Sequence, residues 1–275
     1  MINDVHHVGI AVRDLDTALA LYRNALGLPC VKEGEMPARG VRVAMLAAGR
    51  SYLEVIQPIE ASSPFAAFIE ERGEGLHHVA LWSDDIVGDV ARLRELGVPL
   101  ADAEPRDGFT GRLSYLAPEA FDGAQLEVVQ PEEALSGGDA GLPPVTRIDH
   151  VVLRVPSPKA VSERMEAWFG VATKRTFERG ETAFAFMRPG DVVIEVIGPI
   201  EAPAEPRPGY VAGLAFEVTG IDELAADLKA QGYPVGEPHL ALQGGRIVSV
   251  HQSGACGVPV AFVDFAGSPG PPKRD

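Results

Sequence analysis

One layout of apolar, acidic and turn residues recurs four times along this 275-residue chain, and that repetition restricts the possible folds more than any other feature. The copies are HHVGIAVRDLDTALALYRNALGLP from His6, LHHVALWSDDIVGDVARLRELGVPL from Leu76, IDHVVLRVPSPKAVSERMEAWFGVA from Ile148 and AGLAFEVTGIDELAADLKAQGYPV from Ala212. Each opens with a β-branched run, turns at acidic residues or proline, and continues with apolar residues at helical spacing. In the first copy Ala18, Leu21, Tyr22, Ala25 and Leu26 recur every three or four residues, and Gly27 stands where such a helix stops. Shorter apolar runs that suit strands follow each helix, such as VRVAMLAAG, SYLEVIQP, RLSYLAP and QLEVVQP in the first half. The unit therefore reads as βαβββ.

Between the second and third copies, Pro131 to Thr146 is rich in Gly, Pro and acid and lacks a sustained apolar period, which marks a boundary between two domains. The expected division is a first domain over 1–131, a linker over 132–146, a second domain over 147–266, and a disordered tail over 267–275 that has no core residues to anchor it.

Composition narrows the classes of function. The 46% hydrophobic and 23% charged fractions are those of a globular protein, and no apolar run approaches the roughly 18 residues needed to cross a bilayer. Met1 to His7 has neither the basic nor the apolar region of a signal peptide. Cys30 and Cys256 are the only cysteines, so no disulfide framework or thiolate cluster is available, and a cytoplasmic location is expected. A formal charge of −15 repels a phosphate backbone. Small molecules are the expected partners, with neither nucleic acid nor membrane, and the chain is expected to be a monomer or a homodimer. An anionic substrate requires a local basic patch to offset that charge.

Aligned, the first two copies place His7 opposite His78 and Glu54 opposite Glu127, at spacings of 71 and 73 residues. Glu54 and Glu127 lie inside runs of Leu, Val and Ile, where an ionised carboxylate is costly to bury unless it is paired or binds a metal. Two imidazoles and two carboxylates on pseudo-symmetric strands suit a borderline divalent cation such as Co2+, Ni2+, Mn2+ or Zn2+. His6 and His77 fall on the opposite face by strand alternation and are assigned no ligand role. In the second half His150 matches His7 and Glu195 matches Glu54, but alignment puts Gly213 and Phe262 at the places of His78 and Glu127. That half is expected to be a degenerate domain; His239, His251 and Cys256 fit no metal motif there.

These βαβββ pairs with one His and one Glu per module resemble the vicinal oxygen chelate superfamily, which includes glyoxalase I, methylmalonyl-CoA epimerase, extradiol dioxygenases and bleomycin-binding proteins. The resemblance implies an α+β fold in which four modules form two domains, each a cupped eight-stranded mixed sheet with flanking helices. Within residues 5 to 131, GIAVRDLDTALALYRNALGL, SPFAAFIEERGEGLHHVAL and GVPLADAEPRDGFTGRLSYLAPEAFDGAQLEVV are most similar to methylmalonyl-CoA epimerases. The chain departs from them at Ala117 to Glu119, where they carry His-Pro-Lys, and at Gly108 to Gly111, where they carry a glycine-rich turn. Lys32 is the one lysine before the linker, which leaves Arg39, Arg42, Arg106 and Arg112 to meet a coenzyme A phosphate. The activity implied is a metal-dependent epimerase or isomerase, with an acyl-CoA thioester among the candidate substrates and Glu54 and Glu127 as catalytic acid and base. Two alternatives stand beside it: a lyase like glyoxalase I, acting on a hemithioacetal or another small polar metabolite, and a non-catalytic small-molecule binding protein of the bleomycin-resistance type. Four protein ligands speak against a ring-cleaving dioxygenase, whose iron site needs more open positions.

Overall fold

The computed structural model describes residues 2–132, 144–241 and 244–266; most of the expected linker and the whole of the expected tail lie outside the described residues. The first copy forms β1 (Ile2–Ala11), α1 (Leu15–Leu19), β2 (Cys30–Met36), β3 (Val41–Ala48) and β4 (Ser51–Pro58). Helix α2 (Pro64–Arg72) leads into the second copy, which forms β5 (Gly75–Ser83), α3 (Ile86–Glu95), β6 (Arg106–Asp107), β7 (Gly111–Tyr115) and β8 (Leu126–Pro131). The third gives β9 (Val145–Arg154), α4 (Pro158–Phe169), β10 (Thr173–Arg179), β11 (Thr182–Met187) and β12 (Val193–Pro199). The fourth gives β13 (Tyr210–Val218), α5 (Ile221–Ala230), β14 (His239–Leu240), β15 (Arg246–Val250) and β16 (Val260–Asp264).

All four copies are thus βαβββ units, and they build two eight-stranded mixed sheets on one plan. The first runs β2-β3-β4-β1-β5-β8-β7-β6 and the second β10-β11-β12-β9-β13-β16-β15-β14. The first strands of paired modules occupy the middle of each sheet. No helix among the described residues is long and apolar enough to cross a membrane.

Local chemistry explains the repeating unit. The acidic turns are helix caps: Asp14 accepts a hydrogen bond from the Thr17 amide at 2.7 Å, and Asp85 from the Gly88 amide at 3.0 Å. In the first two modules the last strand also holds the same helix start. Gln57 Oε1 accepts from the Leu15 amide at 2.9 Å, and Gln130 Oε1 from the Ile86 amide at 3.1 Å. Each of these glutamines stands three residues after the module's glutamate, so the helix cap and the candidate site share one strand. At the far end every module stops its helix on a glycine with positive φ, at Gly27, Gly97, Gly170 and Gly232.

The first helix departs from the expected regular period. After Leu19 it widens into π geometry over Ala20–Ala25, closed by a Leu26 amide to Leu21 carbonyl bond of 2.9 Å. Leu21 and Tyr22, three and four residues after Ala18, both remain in the core.

Compactness groups the chain into two units, each discontinuous in sequence. One comprises 1–9, 77–134 and 150–212. Inside it Arg164 grips both oxygens of Asp122 at 2.8 Å, and buried Phe121 meets Trp168 edge-on and stacks on Phe169. Truncating Phe121 to Ala would cost about 3–5 kcal/mol by removing a fully buried ring. The other unit comprises 10–76, 135–149 and 213–275. There the Tyr22 hydroxyl donates to the Ala255 carbonyl at 3.1 Å, and its burial pushes the phenol well above its ordinary pKa.

Candidate metal centre

Strands β1 and β5 each carry a His-His pair, and it is the second member of each, His7 and His78, that turns toward its counterpart. Their Nε2 atoms are 3.0 Å apart and the rings meet edge to face. Glu127, on β8 beside β5, brings Oε1 to 3.1 Å from His7 Nε2 and 3.8 Å from His78 Nε2. Glu54 lies on β4, the strand on the far side of β1. His7, Glu54 and His78 each offer a ligand atom, all within 4.8 Å of one another. His7, Glu54 and His78 are therefore brought together, Glu127 approaches the two histidines, and all four are buried.

The donor set suits a divalent cation. Glu127 is 1% exposed, yet neither of its oxygens has a hydrogen-bond partner among the described residues. An ionised carboxylate so placed is expensive unless a positive charge stands beside it. His7 Nε2 comes within 3.1 Å of Glu127 Oε1 without a hydrogen bond forming between them. Donors held about 2.0–2.2 Å from one ion at right angles lie ~3 Å apart, which matches the closest separations here.

Sequence alternation placed His6 and His77 on the other face, and their rings nonetheless reach the rings of His7 and His78. His6 Nδ1 is 2.7 Å from His7 Nδ1, and His77 Nδ1 is 3.0 Å from His78 Nδ1. The inward Nε2 edges of His7 and His78 are left to face the centre. His6 is itself held edge-on against Trp82, with ring centroids 5.2 Å apart.

Gly9 is a residue that the repeat did not single out. A Cβ there would overlap the His78 imidazole, so the absence of a side chain on β1 makes the space into which that ring folds. The signal was present in the motif His-Val-Gly, two residues beyond His7 on the same face. Tyr115 was also missed; its ring lies edge to face with His78 at 5.6 Å.

In the second sheet His150 and Glu195 again approach, at 3.8 Å, but with side chains 15% and 12% exposed. Strand register corrects one assignment there. Glu127 pairs with Ala80, two residues after His78, and the equivalent pair is Ala215 with Ala261, two residues after Gly213. The place of Glu127 is therefore taken by Ala261, whereas Phe262 pairs with Phe216 and is fully buried. The alignment was one residue out because both strands are uniformly apolar around that point, and only the ladder fixes which face each residue takes.

Comparison with known proteins agrees with this architecture. Residues 6–115 and 149–249 match the Glyoxalase/Bleomycin resistance protein/Dioxygenase superfamily, and the chain belongs to that superfamily, which includes metal-dependent epimerases, lyases and dioxygenases. The ethylmalonyl-CoA/methylmalonyl-CoA epimerase of Cereibacter sphaeroides is 35% identical over 133 residues, 47% of this chain and 99% of that protein. An uncharacterized protein of Bacillus subtilis, YqjC, is 34% identical over 131 residues, 47% of this chain and 94% of its own length. The similarity to methylmalonyl-CoA epimerases is confined to the N-terminal half. Across the whole length, a mutant 4-hydroxymandelate synthase from Streptomyces coelicolor superposes with a TM-score of 0.72, covering 98% of this chain and 94% of that one. At 18% identity that likeness establishes the fold.

Proposed function

We propose that the first sheet carries a divalent-metal centre held by His7, Glu54, His78 and Glu127, and that it catalyses epimerisation by moving a proton at the carbon next to a chelated carbonyl. The observation that carries the reading is the buried, unsatisfied Glu127 carboxylate beside two imidazole nitrogens that are themselves 3.0 Å apart. The epimerase relatives support the choice of reaction, and a 2-substituted malonyl-CoA thioester is the substrate class it favours.

A bound divalent cation would supply Lewis acidity, stabilising negative charge on a substrate carbonyl oxygen when the neighbouring carbon loses its proton. The chain's own residues provide the rest. His7 and His78 hold position from the two central strands, and their Nδ1 edges, turned to His6 and His77, fix the ring orientations. Glu54 on β4 and Glu127 on β8 flank the histidine strands from opposite sides. That placement suits one carboxylate to break the C–H bond on one face, leaving the electron pair on the substrate, while the other, protonated, returns a proton to the opposite face. The net result is inversion at one carbon with no oxidation.

The test is isotopic. Metal-loaded protein incubated with methylmalonyl-CoA and ethylmalonyl-CoA in heavy water should place deuterium at the α-carbon, and Glu127→Gln should abolish this with metal retained in part. Absence of α-deuterium from every such thioester, with metal bound, rejects the reading. Thioester formation from methylglyoxal and a thiol would instead support the lyase alternative.

A further inference from the structure

The strongly acidic chain raised the question of how it would admit an anionic substrate, and the register of β5 to β8 gives an answer. Directly paired residues share a face, as do residues two apart on one strand. Arg106 pairs with Leu113, Leu113 with Val129, Tyr115 with Glu127, and Ala80 with Glu127. Arg106 and Tyr115 therefore stand on the face that carries Glu127 and His78. Ala80, Leu113, Val129 and Tyr115 pack together there as one apolar floor.

The other arginines that the sequence offered are placed differently. Arg42 is tied to Glu33 at 2.7 Å and to Asp16 at 3.3 Å. Arg112, one residue before Leu113, takes the opposite face and donates to the Pro105 carbonyl at 2.9 Å. Arg39 lies in the 3-10 turn Pro37–Arg39, off the strands.

Arg106 is also held in a particular attitude. Its Nε donates to Asp102 Oδ1 at 2.9 Å, and the other oxygen of Asp102 is pinned by the Tyr115 amide at 2.7 Å. The guanidinium carbon sits 5.3 Å from the centre of the Tyr115 ring. The two terminal nitrogens have no hydrogen-bond partner among the described residues, and the side chain is 28% exposed. Asp102 thus occupies the Nε edge and leaves the Nη fork open, which is the geometry that receives both oxygens of a carboxylate or two of a phosphate. Tyr115 links this fork to the centre, since the same ring touches His78.

We propose that Arg106, steadied by Asp102 and Tyr115, is a specificity-determining residue that holds an oxyanion of the substrate one aromatic ring away from the metal centre. The substrate is accordingly two-ended: chelating oxygens at His7 and His78, and a carboxylate or phosphate beyond Tyr115. This inference rests on the epimerase reading for the first end only.

Calorimetry at fixed ionic strength on metal-loaded protein separates the two ends. The probes are butyrate, with one carboxylate, glutarate, with two, and coenzyme A, with phosphates. Arg106→Gln should weaken glutarate or coenzyme A by about tenfold or more, leave butyrate within about twofold, and leave metal content unchanged; Arg106→Lys should restore part of the loss. Whether glutarate or coenzyme A is affected distinguishes an acyl carboxylate from a phosphate. A second readout needs no metal: the Arg106 Nε–Hε resonance of the metal-free protein should shift on adding glutarate or coenzyme A. Equal affinities in wild type and Arg106→Gln, or a resonance that neither probe moves, overturns the proposal. Loss of metal in the wild type with that resonance still shifting would count against the metal centre and in favour of Arg106.

Discussion

The two sheets share strand order and glycine stops, yet one concentrates four metal-type donors and the other keeps two. In the first sheet His7 and Glu54 are buried, at 2% and 8% exposure; in the second the side chains of their counterparts His150 and Glu195 are 15% and 12% exposed. The difference shows what the donors require. Carboxylates can be fully enclosed where two imidazoles and a cation would share the space, and where Gly213 and Ala261 replace two donors the remaining pair keeps access to water. Scaffold and site are separable: the βαβββ frame survives loss of the chemistry because caps, stops and core are encoded elsewhere in each module.

The largest effect that would test this contrast is at Glu127. Glu127→Gln should lower turnover by about 10³-fold or more, as expected for removal of an acid–base group that is also a ligand. In the metal-free protein the same change should raise thermal stability, by roughly 1–3 kcal/mol, because it removes an unsatisfied buried charge. A destabilised metal-free Glu127→Gln would mean that the carboxylate is paired without an ion.

Next come the residues behind the ligands. His6→Phe and His77→Phe should each weaken metal affinity by about 10–100-fold, measured by competition with a chelator, since the ligand rings lose the partner that orients them. Gly9→Ala should weaken metal binding by about tenfold through displacement of the His78 ring, with a cost in stability of about 1–3 kcal/mol from overpacking. The control on the other side is His150→Ala, which should leave metal content and turnover within about twofold, as befits an incomplete constellation. A large loss of metal in that variant would break the comparison.

The smallest effect concerns the two cysteines, one in each half. Burial, assisted by the charges of Glu74 and Asp14, pushes the Cys256 thiol up to about 11, and burial also raises Cys30. At pH 8 only about one part in a thousand of Cys256 is thiolate, so iodoacetamide should modify it slowly, with a rate rising about tenfold per pH unit until pH 11 is neared. Rapid labelling at pH 7, followed by mass spectrometry, would contradict that burial.

What the sequence determined by itself was whatever depends on neighbours along the chain. The fourfold repeat, the helices with their acidic starts and glycine stops, and the pairing of His7 with His78 and Glu54 with Glu127 are readable because periodicity and capping act within a few residues. Tertiary structure decided everything that turns on which face a strand presents. It assigned Ala261 rather than Phe262 to the place of Glu127, and brought His6 and His77 against the rings of His7 and His78. It also emptied the space at Gly9 for a ring 69 residues away and set Arg106 alone, of four candidate arginines, on the strand face of the centre. A shift of one residue inverts a strand's faces, and apolar runs such as Val260 to Val263 carry too little alternation to fix that register before the ladder forms.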